Sequence, residues 1–216
     1  MKIFLDSVDL NQIQKYQDMG IIDGITTNPS LMAGAKYDLY ETVRRIRDVV
    51  QGDISVEVIA TDLEDMKKEG DKILQISDQI VIKLPMTWSG LQACSYFSSK
   101  GHKVNMTLCF SSNQAFLAAK CGASYISPFI GRLEDKGENG IELISHIKTI
   151  YNNYNFKTEI LAASIRSTEH VKEVLLIGAD VVTLPAKILS ELVEHQLTDI
   201  GLKQFTEDWN KSGKKI

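Results

Sequence analysis

Eight short apolar runs recur along the chain, each followed by a stretch with the spacing of an amphipathic helix. They are Ile3–Asp6, Gly24–Thr27, Ile54–Ala60, Ile80–Leu84, Lys103–Leu108, Tyr125–Pro128, Ile160–Ser164 and Val181–Leu184. Runs this short, bounded by polar residues, read as strands. Strands that alternate with helices must pair in parallel through right-handed crossovers. Eight such units in 216 residues fit a closed (β/α)8 TIM barrel better than an open doubly wound sheet. No GxGxxG or Walker sequence supports the open sheet.

The helical stretches carry their own start signals. Ser111 with Gln114 forms a capping box, Asn28-Pro29 puts proline in a first turn, and Thr168 is placed to cap the segment containing Val171, Val174 and Leu175. With no linker or low-complexity tract to divide it, the chain reads as a single barrel domain over residues 1–216 with a C-terminal helix. The periodicity leaves open whether that last segment, with Phe205 and Trp209, packs on its own barrel or on a neighbouring copy.

A net charge of -4 with 44% hydrophobic residues is ordinary for a soluble enzyme and offers nothing for nucleic acid. Cys94, Cys109 and Cys121 have neither zinc-ligand spacing nor an even disulfide count, which fits a reducing cytoplasm. The N-terminus meets Asp6 after only three apolar residues, so neither a signal peptide nor a membrane partner is expected.

Parity within the strands points to chemistry. Side chains alternate faces, so if Ile82 and Leu84 meet the helices, Lys83 points into the barrel near the C-terminal end, where barrel active sites lie. The same reading turns Ile3, Leu5, Ile25, Val56, Val58, Met106, Leu108, Leu161 and Ala163 outward. It turns Asp6, Thr26, Asn28, Glu57, Asn105, Thr107 and Ser164 inward. Burying an unpaired polar group costs about 1–3 kcal/mol, so their convergence at one end argues for a site.

A lysine amine is almost entirely protonated in neutral water, and apolar burial is what raises its reactive, uncharged fraction. An inward lysine beside the carboxylates Asp6 and Glu57 therefore suits covalent amine catalysis, in which proton shuttles must serve the carbinolamine and the neighbouring hydroxyl. His102, His146, His170 and His195 fall in loops or helices without ligand spacing and are expected at solvated surface positions, so no metal is expected. Arg132 after the sixth run and Arg166 after the seventh are candidate phosphate ligands, because late βα loops commonly bind phosphate and a guanidinium fork matches its oxygens.

Gly24-Ile25-Thr26-Thr27-Asn28-Pro29-Ser30, Val81-Ile82-Lys83-Leu84-Pro85, Asn105-Met106-Thr107-Leu108-Cys109-Phe110-Ser111, Ser127-Pro128-Phe129-Ile130-Gly131-Arg132 and Ala162-Ala163-Ser164-Ile165-Arg166 together resemble the transaldolase family. The likeness runs from Phe4-Leu5-Asp6 to Thr183-Leu184-Pro185, nearly the whole chain. It implies Lys83 as the Schiff-base residue, Asp6 as acid/base at the C4 hydroxyl, and Glu57 working through a water held partly by Thr107.

It further implies that Thr26, Asn28, Ser164 and Phe129 line the substrate site, with Arg132 and Arg166 on the sugar phosphate. The implied reaction is a cofactor-free transfer of dihydroxyacetone between sugar phosphates in the pentose phosphate pathway. Compact relatives form homo-oligomers, decamers of two pentameric rings among them. Fructose-6-phosphate aldolase has Gln at the position of Glu57 and Tyr at that of Phe129, so both positions favour transaldolase. The alternatives are that aldolase, releasing free dihydroxyacetone, and a non-catalytic phosphosugar-binding barrel.

Overall fold

A computed structural model describes residues 1–215. In chain order the elements are β1 (Lys2–Asp6), α1 (Leu10–Asp18), β2 (Gly24–Thr26), α2 (Pro29–Ala33), α3 (Leu39–Val49), β3 (Asp53–Glu57), α4 (Leu63–Leu74), β4 (Ile80–Pro85), α5 (Trp88–Ser99), β5 (Val104–Cys109) and α6 (Ser112–Lys120). They continue as β6 (Tyr125–Pro128), α7 (Ile130–Glu134), α8 (Gly140–Tyr154), β7 (Glu159–Ala162), α9 (Thr168–Ile177), β8 (Val181–Leu184), α10 (Ala186–Glu191) and α11 (Gln196–Ser212). The strands run parallel in sequence order and close, β1 pairing with both β2 and β8. This is the expected (β/α)8 barrel.

Alternation along each strand separates two cores. Outward residues such as Leu5, Ile25, Val56, Ile82 and Met106 bury against Ile13, Ile46, Met66, Phe97 and Ile147 of the surrounding helices. Inside the barrel, Phe4, Val81, Tyr125, Leu161, Ala163 and Val181 form a separate cluster. Phe4 and Tyr125 meet edge to face at 5.9 Å, and the Tyr125 hydroxyl donates to Asp53 at 2.7 Å. These contacts close the strands' N-terminal end, so the polar inward residues can be open only at the other.

The inner cluster also explains Gly24, which lies in register with Phe4. A Cβ there would stand 2.6 Å from the Asp53 carbonyl oxygen and 2.7 Å from the Phe4 ring. Gly24→Ala is therefore expected to destabilise the barrel by about 1–3 kcal/mol through overpacking, read as a lower urea midpoint.

Three details of the strand reading are corrected. Leu161 and Ala163 point into the barrel, not toward the helices. Leu108, at φ 57°, leaves the outer face and lines the interior cavity where the β5–β6 register shifts between Met106 and Cys109. A bulge re-aims side chains in this way, and simple alternation does not foresee it. The run read as Ile54–Ala60 ends as a strand at Glu57.

Asn28 caps α2 with Pro29 in its first turn, and Ser111 caps α6. The α9 cap is Ser167, whose hydroxyl accepts from the His170 amide at 3.2 Å, one residue before the expected Thr168. No residue of α11 is buried, and Leu197, Phe205 and Trp209 are 69%, 73% and 44% exposed. Among the described residues no helix is long and apolar enough to cross a membrane.

Candidate active site

At the C-terminal ends of the strands lies a cavity of about 530 Å³, lined by polar residues from most of the strands and the loops that follow them. Lys83 is at its base, 5% exposed. Register aligns Glu57, Lys83 and Asn105 across β3, β4 and β5, so the three side chains share the inner face. The Lys83 Nζ forms an ion pair with Glu57 Oε2 at 3.0 Å and donates to the Thr27 carbonyl at 2.9 Å. The expected inward lysine and its carboxylate neighbour are thus in direct contact.

Asp6 reaches the same cavity from the end of β1. Burial is the largest influence on its carboxyl and pushes the pKa up; bonds from Thr26 and Asn28 and the charge of Lys83 only partly oppose this. Thr26 Oγ1 donates to Asp6 Oδ1 at 2.8 Å. The Asn28 Oδ1 accepts from the Leu31 amide at 3.0 Å, so the cap that starts α2 also fixes this side chain at the cavity wall.

Asn105 is held between Ser55 and Ser127 by side-chain bonds of 3.0 and 2.8 Å. Thr107 is fully buried two residues further along β5, and its hydroxyl has no hydrogen-bond partner among the described residues. It is not part of the cavity wall itself. A buried hydroxyl in that state is suited to a small hydrogen-bonding molecule.

Ser164 reaches the cavity together with its neighbour Ala163 because its backbone is left-handed, φ 58°. Phe129 lines the cavity beside them, bridged to Ala163, with the Arg132 guanidinium 4.9 Å above its ring and also facing the cavity. Arg166 departs from expectation. It lies outside the cavity wall, where its guanidinium grips both oxygens of Asp135 at the end of α7, one of them at 2.6 Å. That bond is also the main cause of an Asp135 pKa held below the usual carboxylate range.

His170 departs too, since it is buried and not solvated. Its Nε2 lies 2.9 Å from Glu134 Oε2, and its Nδ1 accepts from the Arg166 amide at 3.3 Å. His146 and His195 are exposed as expected, while His102 is half-buried against Phe97. Among the described residues no group of three or more His, Cys, Asp or Glu is placed to hold a metal ion.

Thr183 and Ser127 also line the cavity, although the sequence did not single them out. Each stands two residues after an inward side chain, Val181 and Tyr125, so period-two parity was the available signal.

The family model described as transaldolase/fructose-6-phosphate aldolase matches residues 3–216. A protein of Brucella ovis named "Probable transaldolase" is 57% identical over 216 residues, all of both chains. Proteins of the same name from Roseobacter denitrificans and a Chelativorans species are each 53% identical over the same full lengths. With its barrel, its buried lysine and this end-to-end likeness, the chain belongs to the transaldolase/fructose-6-phosphate aldolase family.

Proposed function

We propose that this chain is a transaldolase, moving a dihydroxyacetone unit from a ketose phosphate such as fructose 6-phosphate or sedoheptulose 7-phosphate to an aldose phosphate. The observation that carries this reading is Lys83, almost fully buried yet open to a cavity that also receives Asp6 and Glu57. Its uncharged amine adds to the C2 carbonyl, and the carbinolamine loses water to give an iminium. Glu57, in contact with Nζ, moves protons in these steps through a water shared with Thr107.

Asp6 then takes the C4 hydroxyl proton as the C3–C4 bond breaks. The bonding pair passes into the iminium, leaving an enamine, and the first aldose phosphate departs. A second aldose phosphate accepts a new bond from C3, Asp6 returns the proton, and water releases the product from Lys83. The iminium is itself the electron sink, so the scheme uses no cofactor.

Arg132 binds the phosphate at the cavity mouth, and Arg166 joins it once the phosphate displaces Asp135. Asn28, Thr26 and Ser164 hold the dihydroxyacetone hydroxyls. All three cysteines are free, in keeping with a cytoplasmic setting. The uncovered apolar residues of α11 support a homo-oligomer, a decamer of two pentameric rings being the assembly we propose.

Phe129 separates transfer from simple cleavage. A phenyl ring has no proton to give the enamine, so the intermediate waits for an acceptor aldehyde. Free dihydroxyacetone is therefore expected from fructose 6-phosphate only in trace amounts, with sustained release of glyceraldehyde 3-phosphate requiring erythrose 4-phosphate in the assay as the acceptor. Phe129→Tyr places a phenol there and is expected to raise acceptor-independent release by about tenfold or more. Rapid dihydroxyacetone release by the unaltered protein would make it an aldolase instead.

A further inference from the structure

Thr183 belongs to none of the roles above, yet it is 5% exposed, lines the cavity, and has its Oγ1 2.6 Å from that of Thr26. The direction of that bond follows from counting protons. A hydroxyl has one, and Thr26 gives its proton to Asp6 Oδ1 at 2.8 Å. Thr183 must then be the donor in the pair, so the proton order runs from β8 through β2 to the carboxylate on β1.

We propose that Thr183 is a positioning residue for Asp6, holding the Thr26 hydroxyl aimed at the carboxylate and strengthening that bond. The inference rests on Asp6 being the acid/base of the transfer. Donation into a hydroxyl oxygen polarises its own O–H, so the second bond is stronger for the presence of the first. It also fixes a rotor that otherwise has Asp6 Oδ1 as only one of its options.

Burial pushes the Asp6 pKa up, and the Thr26 bond is the largest influence opposing it. Weakening that bond moves the pKa further up. The other charged groups facing Asp6 are Lys83 on β4, Glu57 on β3 and Arg132 on α7, and a change at Thr183 leaves all three in place. A purely structural account, in which two buried hydroxyls simply satisfy each other, predicts a stability loss with no change in catalytic pH dependence.

The test compares Thr183→Val, Thr183→Ala and Thr183→Ser in the transfer assay across pH. Loss of the donor is expected to lower kcat about fivefold and to move the acidic limb of kcat/KM to higher pH, with serine restoring both. In a Thr26→Val background, Thr183→Val is expected to add little, because its effect passes through Thr26. Borohydride trapping of the ketose on Lys83 should persist in all these variants, since imine formation precedes the Asp6 step. Wild-type kcat and pH profile in both the Val and Ala proteins, or full additivity with Thr26→Val, overturns the inference. Wild-type turnover in Asp6→Asn would instead remove the acid/base reading on which it rests.

Discussion

Replacing Lys83 by methionine is expected to abolish transfer, by on the order of 10⁵-fold or more in kcat, the scale seen when a residue carrying a covalent intermediate is removed. Methionine fills nearly the same volume with a flexible apolar chain, so the surrounding strands need not move. What is lost is the pairing of Nζ with Glu57 and with the Thr27 carbonyl. Leaving the nearly buried Glu57 carboxylate without its cation costs about 3–5 kcal/mol, less than the about 5–15 kcal/mol of a typical domain. The variant is therefore expected to fold, to keep its far-UV circular dichroism, and to bind sugar phosphate through Arg132. A non-catalytic sugar-phosphate barrel has no turnover to lose, so the intact protein's acceptor-dependent rate is the baseline for the comparison.

Asp6→Asn has the second-largest expected effect, a loss of about 10²- to 10⁴-fold in kcat as the general base is removed. The imine on Lys83 should still form, because that step does not need Asp6. The same substitution is expected to stabilise the fold at neutral pH. Burial raises the folded-state pKa of Asp6 above its usual 3.8, so between that value and the raised one the native state binds more protons than the unfolded chain. Stability therefore falls as pH rises through this window, and the penalty is complete once the pH lies above it. Asparagine removes the penalty, so its melting temperature should exceed that of the parent at pH 7 and converge with it below pH 4. A stabilised but inactive Asp6→Asn protein is what a strained catalytic carboxylate predicts.

Much of this site could be read in the sequence, because its main members sit on regular strands. Lys83, Glu57, Asp6 and Thr26 obey strict alternation, and in a barrel that alone decides interior from exterior. The same rule misplaced Leu108, where a bulge and a positive φ intervene at a residue with no glycine to announce it. Reading Leu161 and Ala163 as outward leaves Ser164 inward by alternation. The strand has the opposite phase, and Ser164 still reaches the cavity beside Ala163 because its own backbone is left-handed and breaks the alternation.

Arg166 and His170 illustrate a different limit. Their partners, Asp135 and Glu134, come from α7, more than thirty residues earlier, and no local pattern joins the two segments. The packing that does so is visible at Gly131. A side chain there would meet Arg166 Nε at 2.5 Å and the Ser164 carbonyl oxygen at 2.6 Å. Thr183 was within reach of the parity rule, and only its pairing with Thr26 gives it a role.

The most direct measurement is mass spectrometry of the protein after incubation with fructose 6-phosphate and borohydride. The account predicts a reduced three-carbon adduct on the peptide containing Lys83, and its absence from Lys83→Met. An unmodified Lys83 peptide in protein that still turns over, or an adduct on another lysine, would contradict it.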